Sequence, residues 1–181
     1  GETRHELGTM EFLYAGLDGG DIEFHPPGVY YVVACPARAR HPTLKTGCAQ
    51  AQAMTIGDAA GACLRTIRKF IAPGIVASCQ LVMGYTELAP GSVWNTMPAH
   101  THRRRSEIYL YCGLGSNVVF HFLGTPGETR HVVVRDREAV LSPRWSIHSG
   151  AGTAAYRFVW AMAGENQDFA DIDPLAIGDL R

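Results

Sequence analysis

The chain has no surplus of charge of either sign. Sixteen Lys and Arg stand against 17 Asp and Glu in 181 residues, a formal net charge of −1. A general nucleic-acid binder needs a basic excess to neutralise phosphates, so that class is excluded. The run Arg103-Arg104-Arg105 is too short to supply one. No apolar stretch approaches the roughly 20 residues that cross a bilayer as a helix. The apolar run from Val29 to Cys35 has the length of a strand instead. Cysteine is sparse: five residues, at 35, 48, 63, 79 and 112, odd in number and without a C-x-x-C pair. A disulfide framework and a zinc ribbon are therefore not expected, and reduced thiols in a cytoplasmic protein are. No basic-then-apolar secretory signal opens the sequence.

What remains is ordinary for a globular protein, 46% hydrophobic and 18% charged. The length suits one domain, or one full and one partial domain. Short apolar or alternating runs recur at Val29–Val33, Gln80–Gly84, Ile108–Tyr111, Val118–Phe122, His131–Val134 and Tyr156–Met162. Turn text separates them: Ala89-Pro-Gly91, Gly113-Leu-Gly-Ser116, Gly124-Thr-Pro-Gly127 and Ser142-Pro143. Repeated short strands between Gly/Pro turns predict an all-β sandwich or barrel. In the last run Tyr156, Phe158, Trp160 and Met162 share one face, the alternation of a half-buried strand. From Pro36 to Gly61 the alternation stops, and the text is rich in Ala, Thr and Gly. It reads as a crossing segment. The tail after Gly164 is acidic and polar, and is expected along the barrel surface or at a subunit contact.

The chemistry concentrates in His100-Thr101-His102, then Glu107, then His148. Two histidines two residues apart point to one face of a strand. The carboxylate comes from beyond a bend, and the third histidine must be brought in by the fold. Three imidazoles and one carboxylate form a borderline N/O ligand set that suits Zn, Fe, Mn or Ni and leaves room for a substrate oxygen. His148 has small polar neighbours in Ser146-Ile-His-Ser-Gly150, suited to a hydrogen bond at its other ring nitrogen. His121 alternates with Phe120 and Phe122, and His131 follows Arg130. Each reads first as a satisfied strand histidine, with His121 also a candidate for the pocket. His5, His25 and His41 have no spaced partner. Tyr109 and Tyr111 share the parity of Glu107; one of them could present a hydroxyl to the pocket, and Tyr111 reads first as a core aromatic with its hydroxyl satisfied. Trp94 and Trp145 read as packing anchors.

H-x-H-x4-E followed by a distant His resembles the metal pattern of the cupin superfamily, small antiparallel β-barrels. Longer words are more specific. Leu88-Ala-Pro-Gly-Ser-Val-Trp-Asn-Thr-Met-Pro-Ala-His-Thr-His102, Glu128-Thr-Arg-His131, Ser142-Pro-Arg-Trp-Ser-Ile-His-Ser-Gly150 and Gly164-Glu-Asn-Gln167 are similar to the 5-keto-4-deoxyuronate isomerase family of pectin breakdown. The likeness runs nearly unbroken from about Leu64 to Arg181. It implies a cupin-type antiparallel barrel (jelly roll) in a double-barrel protein. The expected division is a partial amino-terminal barrel over 1–35, the crossing segment over 36–63, and a metal-binding barrel with its tail over 64–181. Arg4-His-Glu-Leu-Gly8 resembles text well inside the family's amino-terminal half, and the likeness resumes near Met10. A longer protein, or a missing internal stretch, is expected.

The resemblance implies one Zn per chain on His100, His102, Glu107 and His148, with Fe, Mn or Ni left open. It implies conversion of 5-dehydro-4-deoxy-D-glucuronate to 3-deoxy-D-glycero-2,5-hexodiulosonate, a uronate substrate, and a homo-oligomer, in the family a hexamer. Arg105, Arg130 and Gln167 are the expected substrate contacts, with Lys69 behind them. Glu165, Tyr109 and His121 are the candidates for moving the proton. Arg104 and Arg105 match paired arginines of the family, whereas Arg103 and Ser106 depart from its pattern beside the ligands. Two other readings stay open: an Fe-dependent cupin dioxygenase, and a sugar-acid-binding cupin without turnover.

Overall fold

A computed structural model describes residues 3–165 and 167–181. Among them the strands are β1 (Phe12–Tyr14), β2 (Leu44–Thr46), β3 (Gln52–Ile56), β4 (Arg65–Ile71), β5 (Val82–Leu88), β6 (Trp94–Asn95), β7 (His100–His102), β8 (Arg105–Cys112), β9 (Val119–Thr125), β10 (Glu128–Val134), β11 (Ala139–Ser142), β12 (Ser149–Gly152), β13 (Arg157–Gly164) and β14 (Ile172–Pro174). A 3-10 turn at Ile177–Asp179 follows. A six-stranded sheet runs β11-β8-β13-β5-β4-β3 and a four-stranded sheet runs β10-β9-β12-β6. Two further pairs, β1-β2 and β14-β7, complete the ladders, and all of them are antiparallel. The fold is an all-β cupin sandwich.

Side-chain alternation explains how the sheets close. Along β13, Phe158, Trp160 and Met162 enter a core shared with Tyr109 and Tyr111 of β8, Val82 and Leu88 of β5, Val119 of β9 and Val134 of β10. Burial contributes about 1.5–3 kcal/mol for each side chain such as Phe158 or Met162. Intervening residues of β13 and β5 face outward, and there a second cluster forms from Val159, Ala161, Met83, Ile71 and Tyr14. In β8 the inward face is polar at one end: Arg105, Glu107, Tyr109 and Tyr111 are all buried, while Ser106, Ile108, Leu110 and Cys112 are half-buried. That face leads from the aromatic core to the chemistry. Where β9 and β12 meet, Gly150 is opposite His121. A Cβ at Gly150 would lie 2.8 Å from Asn95 Nδ2 and 3.1 Å from the Tyr111 and Tyr156 hydroxyls, so the polar interior requires a glycine there.

The amino-terminal residues differ from the expectation at one point. Val29–Val33 forms no strand. Tyr31, Val33 and Cys35 dock on the outer cluster of the six-stranded sheet, while Val29, Tyr30 and Val32 stay exposed. Alternation is present, but among the described residues no neighbouring strand offers a ladder, so the segment packs through side chains. Between residues 36 and 63, β2 pairs with β1 and β3 forms the edge of the six-stranded sheet. The acidic tail is tied down: β14 pairs with β7, placing Ile172 opposite His102 and Pro174 opposite His100. Asn166, in the family-like word Gly164-Glu-Asn-Gln167, and residues 1 and 2 of the expected amino-terminal barrel lie outside the described residues.

Candidate metal centre

Strand β7 presents His100 and His102 on one face, β8 presents Glu107 from its buried face, and His148 enters just before β12. Its segment is pinned by Ile147 N–H to the Gly124 carbonyl at 2.9 Å and by Ser149 Oγ donating to the Asn95 carbonyl at 3.0 Å. The four side chains converge. His100 Nε2 lies 3.2 Å from His102 Nε2 and 3.0 Å from His148 Nε2. Glu107 Oε2 lies 3.1 Å from His148 Nε2 and 3.6 Å from His102 Nε2. One ligand atom from each of the three histidines falls within 4.8 Å of the others.

These spacings fit a divalent ion. Four tetrahedral donors about 2.0–2.1 Å from a centre are about 3.3–3.4 Å from one another. Protonation agrees. Burial, followed by the charge of His102, pulls His100 down to about 3. Burial likewise pulls His148 down to about 3, although Glu107 favours its charged form. Both imidazoles are neutral at physiological pH, the state that ligates. Neutral rings turning Nε2 atoms toward one another have too few protons to satisfy every pair, and a cation between them removes that conflict.

Deeper in the barrel is a second polar group. Tyr111 Oη is 2.7 Å from His121 Nδ1, and His121 Nε2 is buried without a hydrogen-bond partner among the described residues. The Tyr109 ring lies 5.5 Å from His121 and 5.7 Å from His148. Its hydroxyl is 3.2 Å from Thr96 Oγ1, and Thr96 Oγ1 donates to Asn95 Oδ1 at 2.6 Å. Asn95 Nδ2 donates to Tyr156 Oη at 2.7 Å. Burial raises Tyr109 and Tyr111 well above the usual phenol range, so both keep their protons. Burial pulls His121 down to about 4.

The His121 shift has a sign that can be measured. Between pH 6.5 and about 4 the unfolded chain protonates this imidazole and the folded chain does not, so stability falls as pH falls through that window. The slope contributed approaches about 1.4 kcal/mol per pH unit. His121→Gln should flatten that part of the acid-unfolding profile, measured by denaturant titration. An unchanged slope would mean that His121 does not titrate differently in the two states.

Arg105 is at the site, but its guanidinium is fully buried, 2.7 Å from Asp171 Oδ1 and 5.1 Å from the Phe169 ring centre. Its charge is engaged inside the protein and not offered at a surface. Arg130 is not brought to the cluster: its side chain is 67% exposed on β10 and pairs with Glu128 at 2.6 Å. Gln167 Nε2 donates to the Ser78 carbonyl at 3.0 Å and to Ser78 Oγ at 2.7 Å. Glu165 is exposed. His131 is exposed too, with its ring against Phe120 and Phe122. Lys69 Nζ lies 3.8 Å above the Phe169 ring.

Two residues escaped the sequence reading. Asp171, its side chain 8% exposed, has Oδ1 3.5 Å from His102 Nδ1. Arg65, 8% exposed, sits on β4 with its charge felt by Tyr109, Tyr156 and His100. It donates Nη1 to the Cys63 carbonyl at 2.8 Å, and no carboxylate forms an ion pair with it among the described residues. Neither lies at a motif spacing. Only the inward parity of Arg65 with Ile67 on a strand could have flagged it.

The sandwich and its buried three-histidine, one-carboxylate cluster define a cupin-type barrel protein. Residues 8–175 match the KduI/IolB family, and the chain belongs to that family. It is 53% identical over 184 residues to a Burkholderia cenocepacia protein named 4-deoxy-L-threo-5-hexosulose-uronate ketol-isomerase, covering 98% of this chain and 66% of that protein. A relative of the same name from Opitutus terrae is 50% identical over 185 residues, covering 100% of this chain and 67% of that protein. The chain therefore spans about two thirds of the length of these relatives. Among solved structures, an IolB-like protein from Salmonella typhimurium LT2 matches with a TM-score of 0.65 at 15% identity, over 77% of this chain and 56% of that one. That likeness shows the fold.

Proposed function

We propose that this chain carries the active site of a ketol-isomerase for 4-deoxy-L-threo-5-hexosulose uronate, acting in pectin breakdown. The observation that carries the reading is the convergence of His100, His102, His148 and Glu107 in a chain about half identical to proteins named for that reaction. The four side chains would hold one divalent ion. Zn is our assignment, because the set is borderline N/O and the isomerisation has no redox step. Bound there, it would supply Lewis acidity to polarise the carbonyl that changes place with a hydroxyl.

The protein's own groups do the rest. Aldose–ketose conversion moves a proton between neighbouring carbons through an enediol, so a group must carry that proton. His121 suits the role: it is neutral, buried, and has an Nε2 without a protein partner. Tyr111 Oη accepts from Nδ1–H, which leaves the Nε2 lone pair free to take the proton. Tyr109 and Tyr111 stay protonated, and Tyr109 donates to Thr96 Oγ1. Arg65 is our assignment for the uronate carboxylate.

We further propose a homo-oligomer, a hexamer as in the family it resembles, supported by the exposed apolar side chains Phe120, Val132, Val133 and Leu141. Cytoplasmic placement is supported by the five unpaired cysteines.

The test is turnover of the uronate, freshly released by a lyase from oligogalacturonate, by the whole protein. The expected result is isomerisation that a chelator abolishes and Zn2+ restores. Ligand binding without turnover in metal-loaded protein would sink the reading, and oxygen consumption with Fe2+ would replace it with an oxygenase.

A further inference from the structure

We infer that Asp171 is a positioning residue for the metal centre: its carboxylate fixes the ring of His102 from the side away from the ligand cluster. This rests on the reading of His100, His102, Glu107 and His148 as ligands.

The tail around Asp171 is largely exposed, with Ala170, Ile172 and Pro174 all facing solvent. The Asp171 side chain is the exception, 92% removed from solvent by its 8% exposure. A buried carboxylate is costly unless charges or donors meet it. Two groups do. Arg105 Nη2 lies 2.7 Å from Oδ1, too far off axis for a hydrogen bond, and His102 Nδ1 lies 3.5 Å from the same oxygen. With Nε2 of His102 directed into the cluster as a ligand, the ring's N–H is at Nδ1. Asp171 is the acceptor that faces it. Ligating histidines commonly give this proton to a carboxylate, which fixes ring orientation and strengthens the ligand.

The backbone puts the carboxylate there. Pairing of β14 with β7 sets Ile172 against His102, and so brings Asp171 alongside that ring. Leu175 N–H donates to the Ala99 carbonyl at 3.1 Å and Arg181 N–H to the Pro126 carbonyl at 2.9 Å, which secure the tail on either side of its turn. The acidic tail is thus part of the centre. Arg105, wholly buried between Asp171 and the neighbouring charge of Glu107, balances both carboxylates.

The experiment measures Zn2+ affinity of the whole protein by competition with a chelator, without reference to turnover. Asp171→Ala should weaken Zn2+ binding by about 10–100-fold. Asp171→Asn should weaken it less, because the amide oxygen still accepts from Nδ1–H. Asp173→Ala removes the exposed partner of Arg103 from β14, the strand that follows Asp171, and should bind Zn2+ as the wild type does. If Asp171→Ala does not fold, by circular dichroism, the near-isosteric Asn variant decides. Wild-type affinity in the Asp171 variants would make the carboxylate a structural partner of Arg105 only, and overturn the inference. Equal loss in Asp173→Ala would assign the effect to strand pairing and overturn it too. A wild-type protein that binds no Zn2+ would instead remove the four-ligand reading itself, and this inference with it.

Discussion

His102→Ala should yield a folded barrel that holds no divalent ion and does not turn over the uronate. His102 Nε2 is one corner of the cluster, 3.2 Å from His100 Nε2 and 3.6 Å from Glu107 Oε2. Removing it leaves three donors and opens the centre to water. Elemental analysis should show less than a tenth of an ion per chain after dialysis, and kcat/KM should fall by on the order of 10³-fold or more, as when the main electrostatic stabiliser is lost. The β-sheet core is built from residues on other positions of β5, β8 and β13, so circular dichroism should be unchanged. His121→Gln is the informative contrast. It should keep the ion and still lose about 10²–10⁴-fold in kcat, the size of a general acid–base contribution. Full metal occupancy in His102→Ala would contradict the ligand assignment. Wild-type kcat in His121→Gln would return the proton transfer to another group.

The parts of this molecule that were legible in the sequence are those governed by the period of two. Phe158, Trp160 and Met162 alternate along β13 and do fill one face. His100 and His102 share a face for the same reason, as do Glu107, Tyr109 and Tyr111 in β8. Parity also predicted that His121 would turn away from Phe120, and it is buried while Phe120 is 37% exposed. What parity cannot supply is the identity of the partner across space. Arg105 has the parity of Glu107 and so goes inside, where Asp171, 66 positions later, engages its charge. No local spacing reveals that pairing, because β14 is three residues long and has no periodic signal. Arg130 is the opposite case. Glu128 stands two residues before it on the same face of β10, and that spacing was readable as an ion pair. Val29–Val33 has strand propensity without a strand, because propensity does not provide a neighbouring edge.

Arg65→Ala should reduce kcat/KM on the uronate by roughly 30- to several-thousand-fold, the equivalent of about 2–5 kcal/mol for one partner of a desolvated charge pair. The expectation comes from an imbalance in the barrel. Arg65 is 8% exposed, and burial lowers its affinity for its proton. Its hydrogen bond goes to a neutral acceptor, the Cys63 carbonyl. A buried cation that faces no carboxylate among the described residues is held at a cost in stability. An anionic substrate would offset that cost on binding, and the guanidinium fork matches a carboxylate with two parallel hydrogen bonds. Its electrostatic neighbours, His100 and Tyr109, belong to the cluster and to the polar group beside it, so a uronate held there would have its reacting end near both. Arg65→Lys keeps the charge and loses the fork, so it should fall between wild type and Ala. The loss should be much smaller on a neutral aldose analogue without the carboxylate. Metal content should stay at the wild-type level in both variants, since Arg65 is not a ligand. Equal losses on the acidic and neutral substrates would show that Arg65 serves the barrel and not the carboxylate. Unchanged kinetics on the uronate would pass the role to Lys69, the other cation that β4 turns toward the interior.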